Sequence, residues 1–482
     1  MKQFSIFLFS LFLFSQNLFA GAVDDLFTAA MQCDVVAAQK ALDEGADVNA
    51  INPASNQNAL AAAFFCPEVT KLLLSKGGDP NGGSYPAIIS AANCYSTEVM
   101  KILLEGGADP NAVGTIDPGV HMQALADKER EKGKKANKAM IDAYEAAAKS
   151  VPPSQVTALQ QTVQQTNCVP CLDMLLKAGA DINKTSVDGG LIHTLATFSM
   201  DKDMRKDGFT KGAPMMETMG LKVPAFYGNL TDDLNGTPAQ MLDLMIKAGA
   251  DVNAKRADGV SALMVALRLH KLGLSKVMVK NGADVVSETV ALMGKNKVKS
   301  YPICAAAEFA DVELMQMILD KKPDINVSVE TIALGVTMDS DYKGNVTFGG
   351  DGYTPLIIAI MSNHTDVASL LLDAGASVKI GSSGIAVLKS VAFFLNCLTE
   401  VKNKTPIYWA VEKDDLALVE KIAEKMEWKF NPDFTIKQYG PKDAIGSLIV
   451  QCASFKKKQS PSIYATTVGN SKAYSLLSSK GL

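Results

Sequence analysis

The sequence predicts an all-α repeat solenoid, in which short helix pairs stack on one another. Three observations predict this fold class: a Gly-Ala-Asp-Val-Asn pattern recurs, an amphipathic segment precedes each copy, and the 482 residues exceed the size of one ordinary compact core. We call the copies repeat marks. They occupy residues 45–49, 77–81, 107–111, 179–183 and 249–253, with weaker forms at 282–284, 323–326 and 375–377.

The spacing of the marks indicates one unit interrupted by insertions. The Asp residues of consecutive marks, from Asp47 to Asp324, are separated by 32, 30, 72, 70, 33 and 40 residues. Within a unit, Thr-Pro or Ser caps a first helix, and a turn leads to a second helix. Gly then suits the left-handed position that ends the second helix, and Asp and Asn support a tight turn. The unit is therefore helix, turn, helix, hairpin.

The opening motif Thr354-Pro355-Leu356 and the closing marks resemble the ankyrin-repeat family, whose consensus opens with Thr-Pro-Leu-His and closes with Gly-Ala-Asp-Val-Asn. The resemblance implies about nine units plus a terminal cap, stacked so that hairpins and first helices line a concave protein-binding face. The consensus His is replaced, and its hydrogen bonds are absent, at Ala61, Met264, Cys304, Ile357 and Tyr408.

The marks divide the chain into repeats, insertions and ends. The predicted domains are a signal peptide (1–22), units 1–3 (23–112), a charged helical insertion (113–153), units 4–7 (154–327, with an insertion at 199–236), a hairpin insertion (328–351), degenerate units 8–9 (352–442, with a more helical insertion at 380–403) and a helical C-terminal cap (443–482).

The insertions predict where a protein partner binds. Most follow a mark, and in ankyrin proteins that end of the unit borders the concave face. In the 113–153 insertion, Met140, Ala143, Tyr144 and Ala147 form a helical apolar stripe that we expect to dock on the repeats. The alternative is that surface insertions accumulate because they are thermodynamically cheap. The candidate partner-binding residues are Met140, Tyr144, Tyr342 and Trp409.

The N-terminus predicts export. Lys2 precedes an apolar run at 4–14 and the small-residue sequence Ala20-Gly21-Ala22, a pattern typical of a secretory signal peptide. No later stretch is long and apolar enough to span a membrane. We expect the periplasm of a Gram-negative bacterium, or secretion, as the location.

Eight cysteines in an exported chain predict disulfides. Cys33, Cys66, Cys94 and Cys168 lie 13 to 15 residues before the Asp of a mark, at the turn between two helices. The expected bonds are Cys33 with Cys66, Cys94 with Cys168 or Cys171, and Cys397 with Cys452. We expect Cys304 to be a buried thiol. A redox role for the Cys168–Cys171 pair is an alternative, although the strand–helix setting of redox folds is missing.

The remaining signals argue against catalysis and cofactors. The formal charge of −4 disfavours nucleic acid as a partner. The four histidines are scattered, and we interpret His193 as structural. Five methionines within 200–219 allow a copper alternative, whereas 339–345 and 456–458 are interpreted as a hairpin and a solvated loop. The predicted function is a non-catalytic protein-binding scaffold without cofactors; the alternatives are a periplasmic copper or redox-protection protein and a secreted effector that binds a host protein.

Overall fold

The computed structural model divides the chain into two compact units, residues 1–251 and 252–482. The residues that it describes are 21–52, 55–93, 96–135, 137–150, 152–166, 168–184, 189–198, 237–293, 296–309, 311–330, 346–389, 396–429, 435–438 and 455–482.

In the described residues of the first unit, the helices form five repeat pairs and one inserted pair. First helices pack on first helices of neighbouring pairs, and second helices on second helices. The inserted pair is α7 (Pro118–Glu131) with α8 (Lys138–Ser150). The repeat pairs are α1 (Ala22–Gln32) with α2 (Val35–Asp43), α3 (Ala59–Ala62) with α4 (Pro67–Ser75), α5 (Ala87–Asn93) with α6 (Thr97–Glu105), α9 (Ala158–Gln161) with α10 (Val169–Lys177), and α11 (Gly190–Phe198) with α12 (Pro238–Lys247).

The second unit repeats this arrangement with five further pairs in its described residues. These are α13 (Ala262–Arg268) with α14 (Leu272–Lys280), α15 (Pro302–Phe309) with α16 (Val312–Leu319), α17 (Pro355–Met361) with α18 (Thr365–Asp373), α19 (Pro406–Glu412) with α20 (Leu416–Lys425), and α21 (Pro461–Thr467) with α22 (Ser471–Ser479). None of the helices in the described part of the chain combines the length and apolar composition needed to cross a bilayer.

The pair α17–α18 shows how the sequence specifies these elements. The Thr354 hydroxyl accepts a hydrogen bond from the amide of Ile357, and Pro355 occupies the first turn, where its missing N–H costs nothing. At the far end Gly375 adopts a φ of 95°, and the amide of Ala376 donates to Leu371 O at 2.9 Å. The mark therefore closes the second helix, as its composition predicts.

In several marks the Asn side chain bridges to the following mark. Asn49 Nδ2 donates to Gly77 O at 3.1 Å, and Asn49 Oδ1 accepts the amide of Asp79 at 2.7 Å. The Asp47 carboxylate in turn accepts the Asn49 amide at 2.9 Å, which holds the turn. We call this arrangement the Asn bridge, because one side chain satisfies a donor and an acceptor of the next repeat.

The Asn bridge continues across an insertion. Asn111 donates to Gly179 O at 3.0 Å and accepts the Asp181 amide at 2.7 Å, although 68 and 70 residues separate these partners in sequence. The pairs on either side of residues 113–153 are therefore direct neighbours. Equivalent bonds join Asn81 to Gly107 and Asp109, Asn253 to Gly282 and Asp284, and Asn326 to Ser377.

Extended segments leave the repeats at the hairpin side. In the first unit β1 (Val113–Ile116) pairs with β2 (Ser154–Thr157); in the second, β3 (Thr289–Met293) pairs with β4 (Asn296–Ser300). The hairpins that precede α17, α19 and α21 contribute an antiparallel sheet of five strands in the order β5-β6-β7-β8-β9. Its strands are β5 (Val346–Asp351), β6 (Ser382–Lys389), β7 (Asn396–Lys404), β8 (Thr435–Gln438) and β9 (Phe455–Lys458).

The sheet corrects two expectations. Within 380–403, expected to be more helical, residues 382–389 form β6 and residues 396–403 lie in β7, and residues 456–458, expected to be a loop, lie in β9. The run Ile385-Ala-Val-Leu388 is apolar and rich in branched residues, so a short segment of this kind fits a strand as well as a helix. Cross-strand pairing with segments distant in sequence decided the outcome. The insertion at 199–236 lies outside the described residues.

Removing one Asn bridge should lower the stability of the repeats. We expect Asn111→Ala to reduce the free energy of unfolding by about 1–2 kcal/mol, because two hydrogen bonds are lost. Lys101→Ala, at an exposed helix position with a long contact to Glu105, should change it by less than about 0.5 kcal/mol. Urea unfolding followed by circular dichroism measures both; equal effects would contradict a special role for Asn111.

Candidate protein-interaction surface

A helical hairpin projects from the stem formed by β1 and β2. The stem packs on α5, since a Cβ atom added at Gly114 in β1 would lie 2.7 Å from Ile89 Cδ1 and 3.1 Å from Tyr85 Cδ2. Only a glycine allows this close approach of the strand to the helix. The two strands therefore fix the base from which α7 and α8 extend.

Helix α8 is attached to α7 along one side. The Arg130 guanidinium contacts the carboxylates of Asp127 and Glu145, which links the two helices. Near the turn, Glu129 accepts hydrogen bonds from Lys132 at 2.5 Å and from the Asn137 amide at 2.9 Å, and these bonds lower the pKa of the Glu129 carboxyl. The hairpin is therefore held by charge pairs as well as by packing.

The predicted apolar stripe of α8 is partly exposed. Met140 is 41 % exposed, Ala143 is exposed, Tyr144 and Ala147 are half-buried, and no residue of α8 is buried. The insertion forms helix, as predicted, but the expectation of docking on the repeats was wrong. Glu145, which contacts α7, lies about 100° around the helix from Tyr144, so the contact side and the stripe point in different directions. Met140 and Tyr144 remain available to a partner.

Trp409 is not available to a partner. It is 1 % exposed in α19, and its indole Nε1 donates to Ser382 Oγ at 3.1 Å. Strand β6 therefore lies over the first helix at this position and covers the residue that the sequence suggested as a contact. Tyr342, the fourth candidate, lies outside the described residues.

A buried ion pair lies beside Trp409, and sequence reasoning missed it. Lys404 at the end of β7 is 3 % exposed, contacts the Glu412 carboxylate and lies 3.5 Å from the centroid of the Trp409 ring. Tyr464 Oη donates to Glu412 Oε2 at 3.0 Å. Burial lowers the pKa of the Lys404 ammonium, and the Glu412 carboxylate opposes this shift.

The position of Lys404 within its repeat is a sequence signal for this buried pair. Lys404 precedes Thr405-Pro406, and the residue at the same position before Thr354-Pro355 is Tyr353, which is fully buried. A lysine at a buried register position needs an opposite charge nearby. The partner could not be chosen from sequence, because several acidic residues follow within two helices.

The cysteines agree with part of the predicted bonding. Cys33 and Cys66 form the expected disulfide between the turns of the first two pairs, with Cα atoms 5.1 Å apart. Cys168 bonds to Cys171 at the start of α10, which corrects the predicted bond of either residue with Cys94. A Cys-x-x-Cys spacing at a helix start already gives a Cα separation of 5.2 Å, so no neighbouring turn is needed. Cys304 is a buried free thiol, as predicted; Cys94 and Cys452 lie outside the described residues, and the side chain of Cys397 is not described.

The other candidate sites concern metal binding and a structural histidine. No group of three or more His, Cys, Asp or Glu side chains there could hold a metal ion. His193 is 2 % exposed, and its Nδ1 lies 2.7 Å from Gly189 O, in agreement with a structural role. The methionines at 200–219 and the segment 339–345 lie outside the described residues.

Two titratable groups near the helix turns of the second unit have strongly shifted pKa values. Burial raises the pKa of the Glu308 carboxyl to about 8, against a smaller opposing effect of Arg268, and one Glu308 oxygen is buried without a hydrogen-bond partner. Burial lowers the pKa of the Lys271 ammonium to about 8. Both groups are therefore close to their midpoints in mildly alkaline solution.

Comparison with known proteins identifies the class of one repeat. Residues 351–382, which contain α17, α18 and the following mark, match the family model of the ankyrin repeat. The pairs that flank this segment share its helix–turn–helix arrangement and its stacking. No curated protein matches the chain. The match shows that this segment is similar to an ankyrin repeat, a module that typically mediates protein–protein interaction.

Replacing only one residue of the Lys404–Glu412 pair should destabilise the fold more than replacing both residues. We expect Glu412→Leu alone to lower the free energy of unfolding by about 3–5 kcal/mol, because Lys404 stays buried without a counter-charge. The double variant Lys404→Met with Glu412→Leu should recover most of that loss. Urea unfolding followed by tryptophan fluorescence reports on this region through Trp409. A double variant as unstable as the single one would contradict the account.

The stability of the second unit should pass through a minimum near pH 8. Between the unfolded pKa of Glu308, 4.5, and its folded pKa of about 8, only the folded state keeps the proton, so stability falls as pH rises. Above pH 8 the unfolded state keeps the Lys271 proton longer, so stability rises towards pH 10.5. Thermal unfolding across this range is the measurement. Glu308→Gln should remove most of the fall in stability below pH 8, and Lys271→Met should remove most of the rise above pH 8. If either variant leaves the pH dependence of stability unchanged, the replaced residue is not its cause.

Proposed function

We propose that the chain is a non-catalytic protein-binding scaffold and that the exposed face of α8 is its principal contact surface. We define the α8 face by Met140, Ala143, Tyr144 and Ala147. The observation that carries the proposal is that α8, held on the β1–β2 stem, leaves Met140 and Ala143 exposed and Tyr144 and Ala147 only partly buried. Exposed apolar helix faces of this kind mark protein interaction sites.

The burial of the first helices supports placing the contact on the insertion. In α3 every residue is buried, and in α5 Ala87 to Ala92 are buried. Strands β1 and β6 lie against α5 and α19 respectively. Side chains of these first helices are therefore not accessible, and a partner that approaches the hairpin side meets the added segments first.

We further propose that the protein works in an oxidising compartment, reached through the predicted signal peptide. The Cys33–Cys66 and Cys168–Cys171 bonds support this, since such bonds persist outside the reducing cytosol. Cys168 and Cys171 are both fully buried, which favours a structural bond over redox exchange. A partner in the cell envelope and a host protein remain the two kinds of partner to distinguish.

Site-specific photo-crosslinking tests the α8 face. With a benzophenone amino acid at Met140 or Ala143, we expect a discrete adduct of constant mass in producing cells, because the partner covers these positions. Lys149 is the matched control, since it is exposed on the same helix but about 180° away from Met140. The adduct should disappear in a Tyr144→Asp background. Identical adducts from Met140 and Lys149, or none from either stripe position, would contradict the proposal.

A further inference from the structure

A polar cavity of about 220 Å³ lies beside the Asn253 bridge in the second unit. Its lining comes from the loop before α13, from the first residue of β3 and from the chain that joins α14 to β3. The lining residues are Asn253, Lys255, Ser261, Asp284, Ser287 and Thr289. We call it the Thr289 cavity. It has the volume of about seven water molecules in the liquid, so it admits a small molecule or the end of a chain.

Two of the lining side chains serve the repeat fold. Asn253 donates to Gly282 O at 3.1 Å and accepts the amide of Asp284 at 2.7 Å. The Asp284 carboxylate accepts the amides of Val286 and Ser287, both at 2.9 Å. The Asn and Asp of other marks make bonds of the same kind. These two side chains therefore form walls of the cavity without distinguishing it from the rest of the repeats.

Thr289 distinguishes the cavity. Its side chain is 6 % exposed, and its hydroxyl oxygen is buried without a hydrogen-bond partner in the described part of the chain. An unpaired buried hydroxyl destabilises a fold, whereas valine fills the same space without that cost. Because Thr289 lines the cavity, a ligand bound there can accept the hydrogen bond that the fold does not supply.

Lys255 and Ser261 add two further donors. They lie opposite each other in an antiparallel bridge, and Lys255 is exposed, which places it at the rim of the cavity. Ser261 Oγ accepts the amide of Met264 at 3.3 Å, so its hydroxyl hydrogen is directed away from that bond and can donate. The cavity therefore offers a ligand one cationic donor and two hydroxyl donors.

The donors select an anion, and Asp284 limits its charge. Three donors, one of them charged, suit the two oxygens of a carboxylate. Burial of Asp284 disfavours its ionised form, but hydrogen bonds from Ser287 and Val286 and the charge of Lys255 outweigh burial and lower the pKa of the carboxyl. Asp284 is therefore negative at neutral pH and repels a doubly charged phosphate more than a singly charged carboxylate.

We propose that the Thr289 cavity binds a carboxylate group, with Lys255 at the rim and Thr289 at the floor donating hydrogen bonds to its oxygens. The carboxylate belongs to a free small acid or to the C-terminus of a partner polypeptide. This is a binding site in the second unit, additional to the contact surface proposed for α8, and it does not depend on that surface.

Saturation-transfer NMR on the full chain tests the site. The probes are L-lactate, which is a small acid, and N-acetyl-trialanine, which represents a chain end. The amide of the same peptide is the uncharged control, and inorganic phosphate is added as a competitor. We expect saturable millimolar binding of a carboxylate probe and no binding of the amide, which gives Lys255 no opposite charge. Stronger binding of lactate would identify free acids as the ligand, and stronger binding of the peptide would identify chain ends.

Variants locate the binding. Thr289→Val should weaken carboxylate binding by about tenfold, because a hydrogen bond to a charged group is lost. The same variant should leave the thermal unfolding temperature unchanged or raise it, because the fold gives this hydroxyl no partner. Lys255→Gln, at an exposed position, should weaken binding by about fivefold and remains informative if Thr289→Val fails to fold. Lys472→Gln removes the same charge from an exposed helix position and should change binding by less than about twofold.

Four outcomes would overturn the proposal. They are no binding of either carboxylate probe, equal binding of the peptide and its amide, equal effects of Lys255→Gln and Lys472→Gln, or displacement of the carboxylate by phosphate at a much lower concentration than its own. The last would assign the Thr289 cavity to phosphate. None of these results would affect the crosslinking test at Met140, so failure here is separate from failure of the proposed protein-binding function.

Discussion

The Asn bridge is the interaction on which the repeats depend. Each helix pair buries only one side of itself, so stability comes from contact with the next pair, and the turns must be held at the correct spacing for that contact to form. Asn81 does this with one side chain, donating to Gly107 O and accepting from the Asp109 amide. Where the Asn is replaced, by Val286 or Lys379, the side chain cannot supply both bonds. Packing of first and second helices then carries the contact alone.

This constraint explains where the chain tolerates added segments. An insertion placed after the Asn leaves both partners of the bridge in position, as the bond from Asn111 to Gly179 O demonstrates. The added residues leave the repeats at the hairpin side and form their own hydrogen bonds, in the β1–β2 stem and in the five-stranded sheet.

The repeats could be predicted from sequence because their signals are local. Thr354-Pro355 caps a helix, Gly375 ends one, and the apolar residues between them recur at helical spacing. The insertions could not be predicted to the same extent. The direction of the α8 stripe depends on how α7 contacts its neighbour, and β6 and β7 also pair with β5 and β8, which are far from them in sequence. The burial of Trp409 follows from that pairing, since Ser382 belongs to β6. The Cys168–Cys171 bond could have been predicted from local sequence, because the two cysteines are three residues apart. The prediction instead paired one of them with the distant Cys94.

The stem of the helical hairpin separates two kinds of change. Because the Asn111 bridge closes beneath it, α7 and α8 can unfold while the bridge between the neighbouring repeat pairs stays in place. Substitutions on α8 are therefore expected to change binding of the proposed partner and not the stacking of the repeats. Substitutions in the marks are expected to lower the stability of the fold. A segment attached in this way can exchange its surface side chains while the stacking of the repeats that carry it is preserved.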